Sequence, residues 1–409
     1  MKPRLFTMLP LAVMLFFAGC HKDDPIQPEG NVVYDVSYTE NTVFIDSLEV
    51  QSLLRIDTAD YVYYFDSSSP DIAGLEVNDI LLIYGVALRR VTGITESGGE
   101  TRVETAYARL NDAISDGRIS WDREIKFTDG VIPDVQMHGK SVGLKSVTSD
   151  GFEFEFSYGE FSYRIKFDFT DEKADVEFEI SKDLAGPVTA RFLTHGSIES
   201  FHSSTEMVFE GGKLTQFGQK NPGMQGELTL KLTVAGSGRD LVTFDFPVVL
   251  LKYPVMVGPI PVTINVKVLF VINCSVPVDG SSQVEAKFTY NSTAGIKYNG
   301  ISVSADASVG DQGMEKNLAQ TGASSAIAAN FGLAFPRLEI GVFDQVIVPW
   351  IQTAFLIGGD YTFQPACQQA KSQFIAACGL DLSFLGFNYS ANTTLWQEEK
   401  VLLKSGECP

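Results

Sequence analysis

Four histidines, His21, His138, His195 and His202, make up the whole imidazole complement of the chain. His21 lies in a charged stretch near the start, and His138 stands alone beside Gly139. His195 and His202 are seven residues apart, an odd spacing that sends them to opposite faces of a strand. A shared metal is therefore not expected. No nucleophile elbow, zinc-binding helix motif or phosphate-binding loop occurs, and Gly211-Gly212 and Gly358-Gly359 read as turns. Carboxylates are plentiful, with 51 Asp and Glu. They leave open the paired acid and base of a polysaccharide hydrolase without locating it. Asp168, Asp171, Glu172 and Asp175 could offer oxygens to Ca²⁺, but their spacing fits no known calcium loop and solvated hairpin charge is the simpler account. No catalytic residue, metal ligand or cofactor is assigned, calcium being the one ion this acidic loop would suit.

Sugar rings stack on the faces of aromatic side chains. Trp121, Trp350, Trp396 and the tyrosine-rich run from Tyr61 to Tyr64 are the candidate ligand platforms, with core packing as the default for each.

Apart from Cys20 there are four cysteines, Cys274, Cys367, Cys378 and Cys408. An even count outside the cytoplasm points to two disulfides. The segment from Pro365 to Gly379 reads as a helix, with Pro at its start and Gly just past its end. On that helix Cys367 and Cys378 stand about 16 Å apart along the axis, whereas a disulfide needs Cα atoms within roughly 7 Å. They would then bond to Cys274 and Cys408 in either order. Without the helix a Cys367–Cys378 bond returns, and four free thiols remain the other option.

The chain opens with Lys2 and Arg4, then an apolar run of 13 residues from Leu5 to Phe17 broken by Thr7 and Pro10, then Ala18, Gly19 and Cys20. This is the layout of a secretory signal, and it is shorter than the roughly 20 residues a membrane-spanning helix needs. The pattern resembles the lipobox of bacterial lipoproteins, with Phe17 where Leu is commonest. The resemblance implies that Cys20 is the lipidated first residue of the mature chain; ordinary cleavage near Ala18 is the alternative. His21-Lys22-Asp23-Asp24 resembles the export tag that carries lipoproteins of Bacteroidetes-type bacteria to the outer face of the outer membrane. A periplasm-facing anchor, or a plain charged tether, would use the same residues. Asp46-Ser47-Leu48 and Asp57-Thr58-Ala59 resemble the three-residue O-glycosylation site of such bacteria.

Without residues 1–19 the chain holds 29 basic and 51 acidic side chains, a net charge of −22. That balance repels nucleic acid and anionic headgroups, so neither is an expected partner. The expected partners are the outer membrane, through the lipid, and a glycan or protein ligand.

At 409 residues the chain has room for two or three domains. The reading is mostly β: signal 1–19, tether 20–32, a small β module 33–127, and a larger antiparallel β-sandwich 128–409 with one short helix near residue 370. In the small module a hairpin turns at Ser97-Gly98-Gly99-Glu100, and Ala108 to Ile114 reads as a short helix or turn. Residues 77–114 resemble a stretch of modules in large secreted bacterial and archaeal proteins, which implies a hairpin feeding a helical turn and no activity. From Phe152 to Phe169 apolar and polar residues alternate around Gly159-Glu160. Pairing Tyr158 with Phe161 puts every aromatic on one face and sets Glu155 against Arg164 and Glu153 against Lys166 on the other. Residues 244–251 and 262–272 are apolar on both faces, as in central strands of a sandwich, and prolines 254, 259 and 261 between them call for an edge or a connection.

The expected function is a surface-anchored, non-enzymatic binding or adhesion module for glycan or protein. The rivals are an exported polysaccharide hydrolase with paired carboxylates, and a hydrophobic-ligand carrier built from residues 244–272.

Overall fold

A computed structural model describes residues 31–407, except 129, 149, 184–188, 243–246, 275, 307, 310–312, 316–328, 344, 364–365 and 382–389. The chain is mostly β. The first strands are β1 (Asn31–Tyr38), β2 (Thr42–Ile45), β3 (Leu53–Asp57), β4 (Val62–Asp66), β5 (Ile80–Ile83), β6 (Ala87–Ser97), β7 (Glu100–Tyr107) and β8 (Ile114–Ile125). Next come β9 (Ile132–Met137), β10 (Lys140–Ser141), β11 (Ser146–Thr148), β12 (Gly151–Tyr158), β13 (Phe161–Phe169), β14 (Lys173–Asp183), β15 (Thr189–Glu199) and β16 (Phe201–Glu210). The longest strands follow: β17 (Lys213–Val242), β18 (Val248–Val257), β19 (Ile260–Cys274) and β20 (Val276–Tyr298). After the short β21 (Val303–Ala305), β22 (Ser308–Val309) and β23 (Gly313–Glu315) come β24 (Ala329–Val342), β25 (Gln345–Phe363), β26 (Ala366–Asp381) and β27 (Ser390–Gly406). Two helices of 4 residues each, Pro70–Ala73 and Leu110–Ala113, are the only α-helices among the described residues.

Three sheets form. The first runs β1-β8-β16-β17-β15-β14-β13-β12-β11, with β20 also paired to β17 and carrying the three short strands. The second runs β10-β9-β18-β19-β24-β25-β26-β27, and the third, smaller one β2-β5-β6-β7-β4-β3. Pairing is antiparallel apart from β2 with β5. The inner faces of the first two sheets share one core: Phe154, Ile165, Phe167, Phe178 and Phe192 from one, Leu251, Ile264, Val266, Leu338 and Ile340 from the other.

The β12–β13 hairpin has the register its alternation predicts, with Tyr158 opposite Phe161, Phe156 opposite Tyr163, Phe154 opposite Ile165 and Phe152 opposite Phe167. Gly159 takes φ +59, as the first position of a two-residue turn that matches strand twist requires. On the wet face Glu155 is opposite Arg164, but the ion pairs run diagonally: Arg164 reaches Glu153 (3.0 Å) and Glu177 (3.4 Å), while Lys145 takes Glu155.

The first sheet forks. Strands β15 and β16 keep one register against β17, Ile198 facing Gly226 and Ser204 facing Lys220. On their other side β14 pairs with β15 and β8 with β16, so two sets of strands part at Ser200. The buried positions change there from even to odd numbers, and β17 makes the reverse change, odd to even, across Pro222-Gly223, where its pairing with β20 is bulged.

The small sheet is an insertion between β1 and β8, which themselves belong to the first large sheet. Its own core holds Ile45, Tyr63, Phe65, Ile83, Val91 and Val103. The predicted turn at Ser97–Glu100 is present, with φ +64 at Gly98 and +88 at Gly99, and the predicted helical turn is Leu110–Ala113. The sheet docks onto the tip of the β18–β19 hairpin. Gly85 donates its N–H to the Pro259 carbonyl (2.9 Å), and the Tyr34 ring lies on Gly258. Pro254, Pro259 and Pro261 all sit in this tip, beyond the last rungs that β9 and β24 make with it, so no ladder loses a donor.

One element differs from expectation. The segment read as a helix near residue 370 is strand β26, paired with β25 from Val348–Asp381 to Phe363–Ala366 and with β27 along most of its length. Its Ala, Gln and Lys residues favour a helix locally, but a full ladder on both sides outweighs propensities of a few tenths of a kcal/mol per residue.

Candidate functional site

Trp121 is not a platform. It is 2% exposed, on β8 between Val32 of β1 and Thr205 of β16, and belongs to the sandwich core. Period-two burial explains the correction: Ile119, Trp121, Arg123 and Ile125 all point inward. Trp350 and Trp396 stand on β25 and β27, opposite Gly379 and Ala376 of β26; their side chains lie outside the described atoms.

The tyrosine run divides. Tyr63 is buried in the small core, whereas Tyr61 is 49% exposed and Tyr64 half-buried on the outer face. Each of those two rings carries a guanidinium: Arg89 Cζ lies 4.3 Å from the Tyr61 centroid and Arg55 Cζ 3.2 Å from that of Tyr64. Arg89 Nε also donates to Tyr63 Oη (3.2 Å). Arg102, opposite Tyr64 on β7, pairs with Glu104, and Arg55 reaches Glu100 at 3.4 Å. Tyr107, opposite Arg89 on β6, is exposed as well. Ring faces and cations thus meet at two places on the small sheet of a strongly acidic chain: Arg55 and Arg102 beside Tyr64 on the outer face, and Arg89 between Tyr61 and the core-facing Tyr63. A residue-type reading finds the tyrosines but not the arginines, because Arg55, Arg89 and Arg102 are brought to them only by strand pairing.

Paired carboxyls also occur on the small module. Glu49 hydrogen-bonds Asp71, with Asp46 nearby capping the backbone N–H groups of Leu48 and Glu49. The hydrogen bond to Asp71, with help from desolvation and the neighbouring charges, pushes Glu49 up to about 7. The folded state then binds this proton more tightly than the unfolded one, so the contribution is present at low pH and lost as pH rises through about 7. A carboxyl resonance of Glu49 with its midpoint near 7, falling back toward 4.5 in Asp71→Asn, is the expected NMR result. A midpoint near 4.5 in the wild type would refute the shared proton.

A hollow of about 470 Å³ lies on the wet face of the β12–β13–β14 sheet, lined by Glu155, Ser157, Ser162, Arg164, Glu179 and Ser181 among others. Its two carboxylates are already engaged, Glu155 by Lys145 and Glu179 by Arg191 (2.7 Å). The acidic loop likewise disperses: Asp168 pairs with Lys166 (2.6 Å), Asp175 with Lys173 (2.8 Å), and Asp171 accepts from Thr128. Among the described residues no three metal-ligating side chains converge. His195 and His202 both face solvent, because the fork between them switches the buried side; about 23 Å of extended chain separates them. His202 Nδ1 meets Asp122 Oδ1 at 3.2 Å.

The strand β26 also rewrites the cysteine arithmetic. Cys367 and Cys378 on one extended strand are about 36 Å apart, so they cannot bond to each other. Cys274 is opposite Ala329 on β24, three strands from β26, which removes it from reach of both. Cys367 is opposite Gly406, two positions before Cys408, which lies outside the described residues.

Strands β18 and β19, the core of the apolar stretch 244–272, fill the sandwich: Val249, Leu251, Val262, Ile264, Val266 and Val268 are all buried. Among the described residues no helix is long and apolar enough to cross a membrane. No protein-family model, no curated protein and no solved structure matches this chain.

Proposed function

We propose that the protein is a non-enzymatic binding module, carried on the surface of a didermal bacterium by a lipidated Cys20, and that the exposed Tyr61–Arg89 pair takes a glycan or a partner protein. The observation that carries this reading is the exposed Tyr61 ring held by Arg89. A ring already fixed by a cation loses little freedom on binding, and Arg and Tyr are the side chains that most often anchor interfaces.

Glycan arrays and pull-downs with the mature chain test it. Tyr61→Ala and Arg89→Gln should each weaken binding roughly tenfold while leaving the fold intact, since hot-spot losses run at about 1–2 kcal/mol or more. Retention of no ligand at high protein concentration would end the reading. The hydrolase rival would have to draw on the Glu49–Asp71 pair, whose hydrogen bond holds the two carboxyls closer than the roughly 5–10 Å of glycoside hydrolases. Release of reducing ends from a polysaccharide, lost in Glu49→Gln, would put it first.

Two companion expectations belong to the same reading. Cys20→Ser should release the protein from the membrane fraction and abolish acyl labelling. Non-reducing peptide mass spectrometry should find Cys367 joined to Cys408, with Cys274 and Cys378 as thiols; a Cys274 or Cys378 disulfide would contradict the strand register.

A further inference from the structure

Register sets two adjacent rows across the second sheet, one residue per strand, polar at most positions. The first row reads Lys252, Asn265, Glu339, Trp350 and Gly379 across β18, β19, β24, β25 and β26. The second reads Asp134, Leu250, Lys267, Arg337, Gln352 and Ala377, starting one strand earlier on β9. Neighbouring strands are about 4.8 Å apart, so the six-strand row spans about 24 Å. The alternate residues, Leu251, Ile264, Val266, Leu338 and Ile340, fill the core. These rows therefore belong to the opposite side.

Their chemistry is unusual for an outer face. Glu339 is 5% exposed, held by Arg337 Nε (2.7 Å) and Lys267 Nζ (3.5 Å). Lys252 Nζ reaches Asp134 Oδ2 at 3.3 Å. Burial pushes the Asp134 carboxyl up, but donors from Gln136, Ser141 and Lys252 together hold it below its usual value. Among the described residues, Lys252, Lys267 and Arg337 thus gather around Asp134 and Glu339 in a chain whose overall charge is strongly negative. Asn265, opposite both Lys252 and Glu339, is 7% exposed, and its Oδ1 accepts no hydrogen bond among the described residues. A buried acceptor left in that state costs about 1–3 kcal/mol, so the site calls for a donor from outside.

We infer that this face binds an anionic polysaccharide. A sugar hydroxyl donates to Asn265 Oδ1. A carboxylate or sulfate on the same chain accepts from Lys252 and Lys267, where charge-assisted hydrogen bonds are the strong ones. Trp350 is the aromatic position of the row, flanked on β26 by Gly379, and Gln352 and Ala377 continue the second row beside it. The inference lies beyond the Tyr61 platform, on a different sheet, and neither depends on the other.

The test uses the mature chain with three soluble probes: polygalacturonate, dextran sulfate and neutral dextran, with titration calorimetry at low and high salt. Binding to an acidic polymer that weakens with salt, with neutral dextran silent, is expected; the two acidic probes tell carboxylate from sulfate. Lys267→Gln and Lys252→Gln should each weaken it roughly tenfold, with circular dichroism unchanged. Tyr61→Ala should leave it untouched. Lys252 is the more exposed cation, so its variant keeps the test alive if Lys267→Gln unsettles Glu339. No binding by the folded wild type, equal binding of neutral dextran, or full affinity in the Lys252 and Lys267 variants would each overturn the inference and leave the cluster as structural ion pairing.

Discussion

Gly258→Ala is expected to lower the melting temperature by about 10 °C. Two costs combine at this position. Gly258 has φ +58 in the Val257–Ile260 turn, a region where a side chain costs roughly 1–2 kcal/mol. An added Cβ would also stand 2.5 Å from Tyr34 Cγ, and such overpacking typically adds about 1–3 kcal/mol. The sum, about 3 kcal/mol, converts at roughly 2–4 °C per kcal/mol for a domain of this size. Gly98→Ala is the control: its φ is +64, but no atom lies within 4 Å of the added carbon, so only the backbone cost of about 1 kcal/mol should appear. Truncating Tyr34 to Ala in the Gly258→Ala background should recover part of the difference, as a double-mutant cycle would read. Equal losses at Gly258 and Gly98 would mean that the ring does not bear on the turn.

Trp121→Ala should cost about 3–5 kcal/mol, the range for emptying a fully buried aromatic site. Trp121→Phe should cost far less than that, because the indole N–H has no partner among the described residues and only part of the volume is lost. Denaturant unfolding followed by circular dichroism gives both values. The pair also decides the role of the residue. A platform tryptophan would lose ligand affinity with little change in stability, and this one should do the reverse. Retained stability in Trp121→Ala, with binding lost, would restore it as a ligand contact.

The hairpin at 151–169 is fully legible because both of its faces select one register; aromatics and charge pairs would all be displaced by a slip of one residue. The glycine turn at Gly98-Gly99 is legible for a similar reason, since two successive positive φ angles need glycine. Residues 366–381 are not, because their helix-favouring composition is overridden by ladders on both sides, whose paired residues lie from 3 (Ala366–Phe363) to 39 (Cys367–Gly406) positions away in sequence. Trp121 misleads because a residue type says nothing of which face a strand turns inward. The fork at Ser200 is likewise invisible: His195 and His202 look opposed until the strand exchanges its buried side between them. The cation-bearing tyrosines and the Asn265–Glu339 row are assembled from strands far apart in sequence. Their residue types are ordinary, and only the register makes them neighbours.

The position of β1 has a mechanical consequence. It is an edge strand of the first sheet, bonded on one side to β8 from Asn31–Asp122 to Tyr38–Ile114. Any pull on the chain ahead of Asn31, directed along the strand, loads these rungs in shear, so that many must fail together. A pull perpendicular to the strand peels them one at a time, at lower force. Resistance to unfolding would then depend on the angle of the pull, high along the strand and low across it.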